Sequence, residues 1–257
     1  MCIMAMAWRA HPRWQLILAG NRDEFHARPA APLADWTDRP GLIAGRDLQS
    51  GGTWLGVARA GRVAIVTNLR GFGDPQPDRA SRGALVTDLL AAEGRYSDPP
   101  ASSLDDFNPF NLILIEAECA RFLTNRPAPL VTPLTPGLYG LSNGSLDAPW
   151  PKTLALKAAL LAWLTKDTER PEALFDALRL ETLPAAGIAP ITPSDIADEA
   201  AASPVFIRNP VYGTRCSTVI AIGTDGASFI AERRFDANAI QTGETLIPFA
   251  WPDEMMG

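Results

Sequence analysis

The 257 residues are 47% apolar and 20% charged, enough to bury a sizeable core, and they read as one domain over 1–257. A net charge of −6 and a pI near 5.0 exclude sequence-independent nucleic-acid binding, which needs a basic face. No stretch approaches the run of about 18 apolar residues that marks a membrane span. Cys2, Cys119 and Cys216 are odd in number and widely spaced, so they form neither a disulfide framework nor a zinc site. The default setting is therefore reducing and cytoplasmic, with no metal or cofactor called for.

The chain opens on its most informative stretch. If Met1 is removed, Cys2 carries both a thiol, with an ordinary pKa of about 8.5, and an α-amine of about 7.7 to 8.0. Such an amine can activate its own nucleophile. Residues 2 to 8 and 14 to 19 are apolar runs separated by Arg9-Ala10-His11-Pro12-Arg13, which predicts a hairpin. A turn centred between His11 and Pro12 sets Cys2 opposite residues 21 to 22, where facing Cα atoms lie roughly 4.5 to 5.5 Å apart. Asp23 then reaches the α-ammonium. An incidental small residue at position 2 and a solvated Asp23-Glu24 turn fit these two features equally well.

Residues 25 to 50, rich in Pro, Asp, Arg and Gly, read as a long ordered loop beside that turn. Gly51-Gly52 leads into strands over 53 to 58 and 62 to 68, the second ending at Asn68. No Gly-Lys-Ser/Thr follows the glycine pair, which excludes a phosphate loop. After a polar stretch at 71 to 80, apolar spacing predicts a helix over 81 to 92, capped by Asp78 or Ser81 and stopped at Gly94. Its N-terminus beside Arg82 suits an anion, and also suits an ordinary helix packed on a sheet. Strands at 110 to 115 and 121 to 124 form a third hairpin, with Cys119 in its turn.

A proline-rich connector follows, then Leu138 to Gly144, and a helix over 153 to 165 with Leu156, Leu160, Leu161 and Leu164 on one face. A second helix is expected over 171 to 180 and a short one from Ser194. Strands over 216 to 223 and 227 to 235 close the pattern through Asp225-Gly226. Hairpins with helices clustered between them predict an α+β fold of antiparallel sheets covered by helices.

Met1-Cys2-Ile3, Gly20-Asn21-Arg22-Asp23-Glu24, Gly52-Thr53-Trp54-Leu55-Gly56, Ser81-Arg82-Gly83, Gly140-Leu141-Ser142-Asn143 and Tyr212-Gly213-Thr214-Arg215-Cys216-Ser217-Thr218 occur in this order. Together they resemble the NRDE-motif, or transport and Golgi organisation, family. That family is similar in layout to N-terminal-nucleophile hydrolases of the bile-salt hydrolase and penicillin V acylase type. The resemblance implies a four-layer αββα sandwich. It also assigns Cys2 as nucleophile, Asp23 as the carboxylate that orients its amine, Asn68 and Asn143 as amides near the oxyanion site, and Arg215 as the arginine near the thiol. Gly20-Asn21 stand where the acylases carry an arginine ahead of the aspartate, and that arginine's role is not carried to Arg22.

The implied activity is hydrolysis of a small acyl amide or thioester. The alternative implied by the same family is a non-catalytic protein that binds or transfers a hydrophobic anionic ligand such as haem or acyl-coenzyme A.

Overall fold

Alternation of side chains along two apolar runs shapes the first hairpin of the computed structural model, which describes residues 2–166, 170, 172–183 and 203–252. Strands β1 (Ile3–His11) and β2 (Trp14–Phe25) are joined through Pro12-Arg13, and Ile3 faces Asn21, the register expected from the sequence. Along β1, Met4, Met6 and Trp8 point to one cluster while Ile3, Ala5 and Ala7 point to another, the period-two signature of a sheet buried on both faces.

The second sheet is a meander of β3 (Ala30–Asp35), β4 (Leu42–Asp47), β5 (Leu55–Ala58), β6 (Arg62–Asn68), β7 (Phe110–Glu116), β8 (Ala120–Thr124) and β9 (Leu130–Leu134), each antiparallel to the next. Strands β10 (Gly137–Leu141), β11 (Tyr212–Gly223), β12 (Ala227–Phe235) and β13 (Gln241–Ala250) join the first hairpin in the order β10-β1-β2-β11-β12-β13. Helix α1 (Arg82–Ala91) is capped by Ser81, whose side chain accepts from the Ala84 amide. Helices α2 (Pro151–Thr165) and α3 (Glu172–Leu178) follow β10.

Several expectations are corrected. The stretch read as a loop over 25 to 50 contains β3 and β4, and the proline-rich connector contains β9. β3, β9 and the unforeseen β13 are edge strands, with exposed residues breaking the apolar pattern, and an edge tolerates a proline such as Pro133. β11 begins at Tyr212, four residues earlier than expected. On α2, Leu161 is 50% exposed, and Trp163 joins Leu156, Leu160 and Leu164 in the core. Positions 156, 160, 163 and 164 follow the helical repeat, from which 161 is displaced. The short helix expected from Ser194 lies outside the described residues.

One apolar cluster joins the two sheets, with Met4, Leu18 and Ile220 from the first and Ile43, Val63 and Ile113 from the second. α2 and α3 pack on the first sheet through Leu156, Leu160, Trp163, Leu174 and Leu178, and α1 packs on the second through Leu85, Val86, Leu89 and Leu90. No helix among the described residues is long and apolar enough to cross a membrane.

Candidate active site

The far end of β2, the end of β6, the start of α1 and the β10–α2 turn meet around Cys2. A cleft of about 510 Å³ opens there, with Cys2, Arg22, Asp23, Asn68 and Arg82 among its lining residues. Cys2 is half-buried, and its carbonyl accepts a hydrogen bond from Ser142 Oγ at 2.8 Å, so the Leu-Ser-Asn turn after β10 fixes its backbone. Burial pushes the Cys2 thiol up, and the Asp23 charge adds to that while the Arg22 charge opposes it.

Asp23 is only 4% exposed. Its Oδ1 accepts from Thr214 Oγ1 at 2.6 Å and its carbonyl accepts from Tyr212 Oη at 2.8 Å, so both tethers come from the adjoining strand β11. Burial raises the carboxyl to about 6, against the Thr214 hydroxyl and the charges of Lys152 and Arg22. The neighbouring Asn21 is a brace: its Nδ2 donates to the carbonyls of Leu178 and Val205, both at 2.8 Å, and its Oδ1 accepts from Ser217 Oγ at 2.6 Å.

Lys152, in the first turn of α2, was not foreseen as a site residue. It is 1% exposed, and its Nζ donates to Ser203 Oγ at 2.7 Å. Burial lowers its pKa to about 8, while the charges of Asp23 and Cys2 hold it up and that of Arg70 lowers it. The sequence carries no motif for it beyond the helix start at Trp150-Pro151, because its partners come from β2 and from residues far along the chain.

The two asparagines have different roles. Asn68 lines the cleft at the end of β6. Asn143 is fully buried behind it, donating from Nδ2 to the Asn68 carbonyl at 2.7 Å, while its own carbonyl accepts from the Arg70 amide at 3.0 Å. Asn143 therefore positions Asn68 and is not itself a lining residue.

Arg215 does not line the cleft either. Its Nη1 donates to the carbonyls of Phe25, His26 and Arg28, clamping the turn after β2. Arg22 and Arg82 are among the groups whose charge acts with Cys2. Arg215 sits at a bulge between Thr214 and Cys216 that interrupts the register in which Cys216 faces Arg22.

Arg22 is held by the glycine-rich motif that follows β4. Its guanidinium stacks on Trp54 at 4.2 Å and bonds Asp47 at 3.2 Å. Asp47 also accepts from Arg28 at 2.6 Å and from the amides of Gln49 and Ser50 at 3.0 Å. Burial alone would raise the Asp47 carboxyl, but these partners outweigh it and hold it below its ordinary range. Gly52 lies so close to Gly83 that a Cβ there would strike the Gly83 backbone, and the Thr53 amide donates to the Gly83 carbonyl at 3.3 Å. The Gly52-Thr53-Trp54 and Ser81-Arg82-Gly83 motifs are thus one contact, which seats the start of α1 on the cleft.

The fold is that of a known class. Over 98% of this chain and 97% of the other, it matches the C2A mutant of conjugated bile acid hydrolase from Clostridium perfringens, a protein of the N-terminal-nucleophile hydrolase fold, with a TM-score of 0.50 at 8% identity. Residues 1–237 match the family described as Transport and Golgi organisation 2, and the chain belongs to that family. It is 32% identical to the Transport and Golgi organization protein 2 homolog of Homo sapiens, over 91% of this chain and 92% of that one. It is 29% identical to Transport and Golgi organization protein 2 of Drosophila melanogaster, over 59% of this chain and 61% of that one.

Proposed function

We propose that this protein is a cysteine hydrolase of the N-terminal-nucleophile type, acting on a small acyl amide or thioester within a four-layer αββα domain. The three apolar clusters support the layering, since one joins the sheets and the others join each sheet to its helices. The observation that carries the activity is the placement of Cys2 in the cleft, tied down by Ser142 and coupled electrostatically to the buried Asp23.

In this reading Met1 is removed and the Cys2 amine takes the thiol proton as the sulfur attacks the acyl carbon. Asp23 orients the resulting ammonium. Asn68, braced by Asn143, supplies polar groups where the oxyanion develops; losing one such donor typically costs about 10² to 10³ in rate. The ammonium then protonates the leaving amine or thiolate, and water releases the acid from the thioester. The fold neighbour is a conjugated bile acid hydrolase, which suits acyl-transfer chemistry.

The test is a panel of acyl amides and acyl thioesters with wild-type and Cys2→Ala proteins. Turnover and an acyl adduct on Cys2, both absent in Cys2→Ala, are expected, together with an intact mass lacking Met1. A mass that retains methionine, or saturable binding of haem or acyl-coenzyme A without turnover or adduct, would overturn the reading.

A further inference from the structure

The arginines lining the cleft differ in what they bind. Arg28 is paired with Asp47 at 2.6 Å, and Arg79 is tied to Gln76 Oε1 at 2.9 Å and to the Asp105 carbonyl. The other two are held differently. Arg22 is only 5% exposed, with Nη2 at 3.2 Å from Asp47 and 3.9 Å from Glu24, yet its Nη1 has no hydrogen-bond partner among the described residues. Arg82 gives Nη1 to the Pro109 carbonyl at 3.0 Å and makes no ion pair among the described residues.

A buried N–H without a partner has lost its water and gained nothing in return. At Arg22 the arrangement is also rigid, because Trp54 covers the guanidinium face and Asp47 fixes one edge. Ser81, Arg82 and Gly83 bring the start of α1 to the same lining, where the helix dipole adds positive potential. Cys2, Arg22 and Arg82 line the same cleft, and the charges of both arginines act on Cys2.

We infer that the cleft contains an anion subsite, made by the guanidinium groups of Arg22 and Arg82 with the α1 N-terminus, which takes a carboxylate or phosphate group of the ligand beside Cys2. The substrate class is then an acyl compound that itself carries an anionic group. This rests on the hydrolase reading only in seating the acyl carbon at Cys2; the subsite needs no reaction there.

Two alkylating reagents with the same leaving group test it on the full-length protein. Iodoacetate carries a carboxylate and iodoacetamide is neutral, so the ratio of their rates at one thiol cancels changes in thiolate population. Cys119, exposed and hydrogen-bonded to Glu116, is the internal reference. The iodoacetate-to-iodoacetamide ratio at Cys2 should exceed that at Cys119 by about tenfold or more, the scale of one charge-assisted hydrogen bond. Arg82→Gln and Arg22→Gln should each bring it back toward the Cys119 value. Arg22→Gln also removes the Asp47 pair, so if it fails to fold, Arg82→Gln decides alone.

Calorimetric titration of succinate and of pyrophosphate into the Cys2→Ala protein separates carboxylate from phosphate as the source of the anion and stands even if Cys2 proves inert. Saturable binding of either, lost in the added Arg82→Gln substitution, supports the subsite, whatever becomes of the hydrolase reading. An unchanged alkylation ratio in both variants, or no binding of either anion, overturns it while leaving turnover of neutral acyl amides untouched.

Discussion

The two halves of β2 are buried to nearly the same degree and made of opposite materials. Leu16, Ile17, Leu18 and Ala19 are fully buried in the clusters on either side of the first sheet, whereas Asn21, Arg22 and Asp23 are 4%, 5% and 4% exposed. The first half needs only matching shapes. The second needs partners for its polar atoms; these come from β11, from residue 47, and from Leu178 and Val205, and leave out Arg22 Nη1. One strand therefore runs from a region that stabilises the fold into a region where charge is held at a cost, and the candidate site begins where that change occurs.

The largest expected effect breaks the apolar half. Leu18→Ala removes a fully buried side chain from the cluster joining the sheets and should destabilise the protein by about 2 to 5 kcal/mol in chemical unfolding. In native conditions the alkylation rate of Cys2 should stay at its wild-type value, since Leu18 makes no polar contact with the site. A matching loss of Cys2 reactivity would join the two halves into one unit.

The same experiment on the polar half should change sign. Asp23 is raised from its ordinary 3.8 to about 6, so the native state binds the proton more tightly than the unfolded chain. The associated stabilisation is full below pH 4 and is lost as pH rises from there through 6. At pH 7 the ionised carboxylate therefore costs about 3 kcal/mol at most. Asp23→Asn should stabilise the protein at pH 7 by up to that amount, flatten its stability between pH 4 and 6, and abolish turnover. Lower stability at pH 7 would show that the carboxylate's partners outweigh its burial.

How much of this was legible in the sequence follows from the kind of interaction involved. The register at Cys2 was readable because it depends on a short turn and a period-two pattern within 25 residues. β3, β9 and β13 were not, because edge strands are half-exposed and lose that pattern. Asp23 was found by motif, but Thr214 as its hydrogen-bond donor required knowing that β11 lies beside β2. Lys152 had no local signal at all: a lysine in the first turn of an apolar helix reads as a surface charge until the fold buries it. Arg215 was named by motif alone, and the three backbone carbonyls its side chain holds could be known only from the fold.

Lys152 offers a subtler test, read in pH. Its ammonium interacts favourably with both Asp23 and the Cys2 thiolate, and Arg70 is the other charge acting on it. Lys152→Met should move the midpoint of Cys2 alkylation to higher pH, because one of the cations favouring the thiolate is gone. Lys152→Arg should restore most of the difference. An unmoved midpoint would make Lys152 a packing residue whose charge is screened from the sulfur.

The smallest effect separates the two tethers of Asp23 and uses pH to tell them apart. Thr214 donates to the carboxylate, a titrating acceptor, whereas Tyr212 donates to the carbonyl of the same residue, which does not titrate. A hydrogen bond to the ionised carboxylate lowers the folded pKa, so the stability it contributes is present above about pH 6 and fades as pH falls through that value. Thr214→Val keeps the shape and removes the donor, along with the acceptor for the Ile207 amide. Its cost should be about 1.5 to 3 kcal/mol at pH 7.5 and smaller at pH 5, where Asp23 is largely protonated. Tyr212→Phe should cost about 1 kcal/mol at both values, the ordinary worth of a neutral hydrogen bond. Unfolding curves for the two variants at the two pH values give four numbers, and the reading requires that only the threonine pair differ. Equal costs for Thr214→Val at pH 5 and 7.5 would mean that its main contribution is to the Ile207 amide and that Asp23 is held in place by other groups.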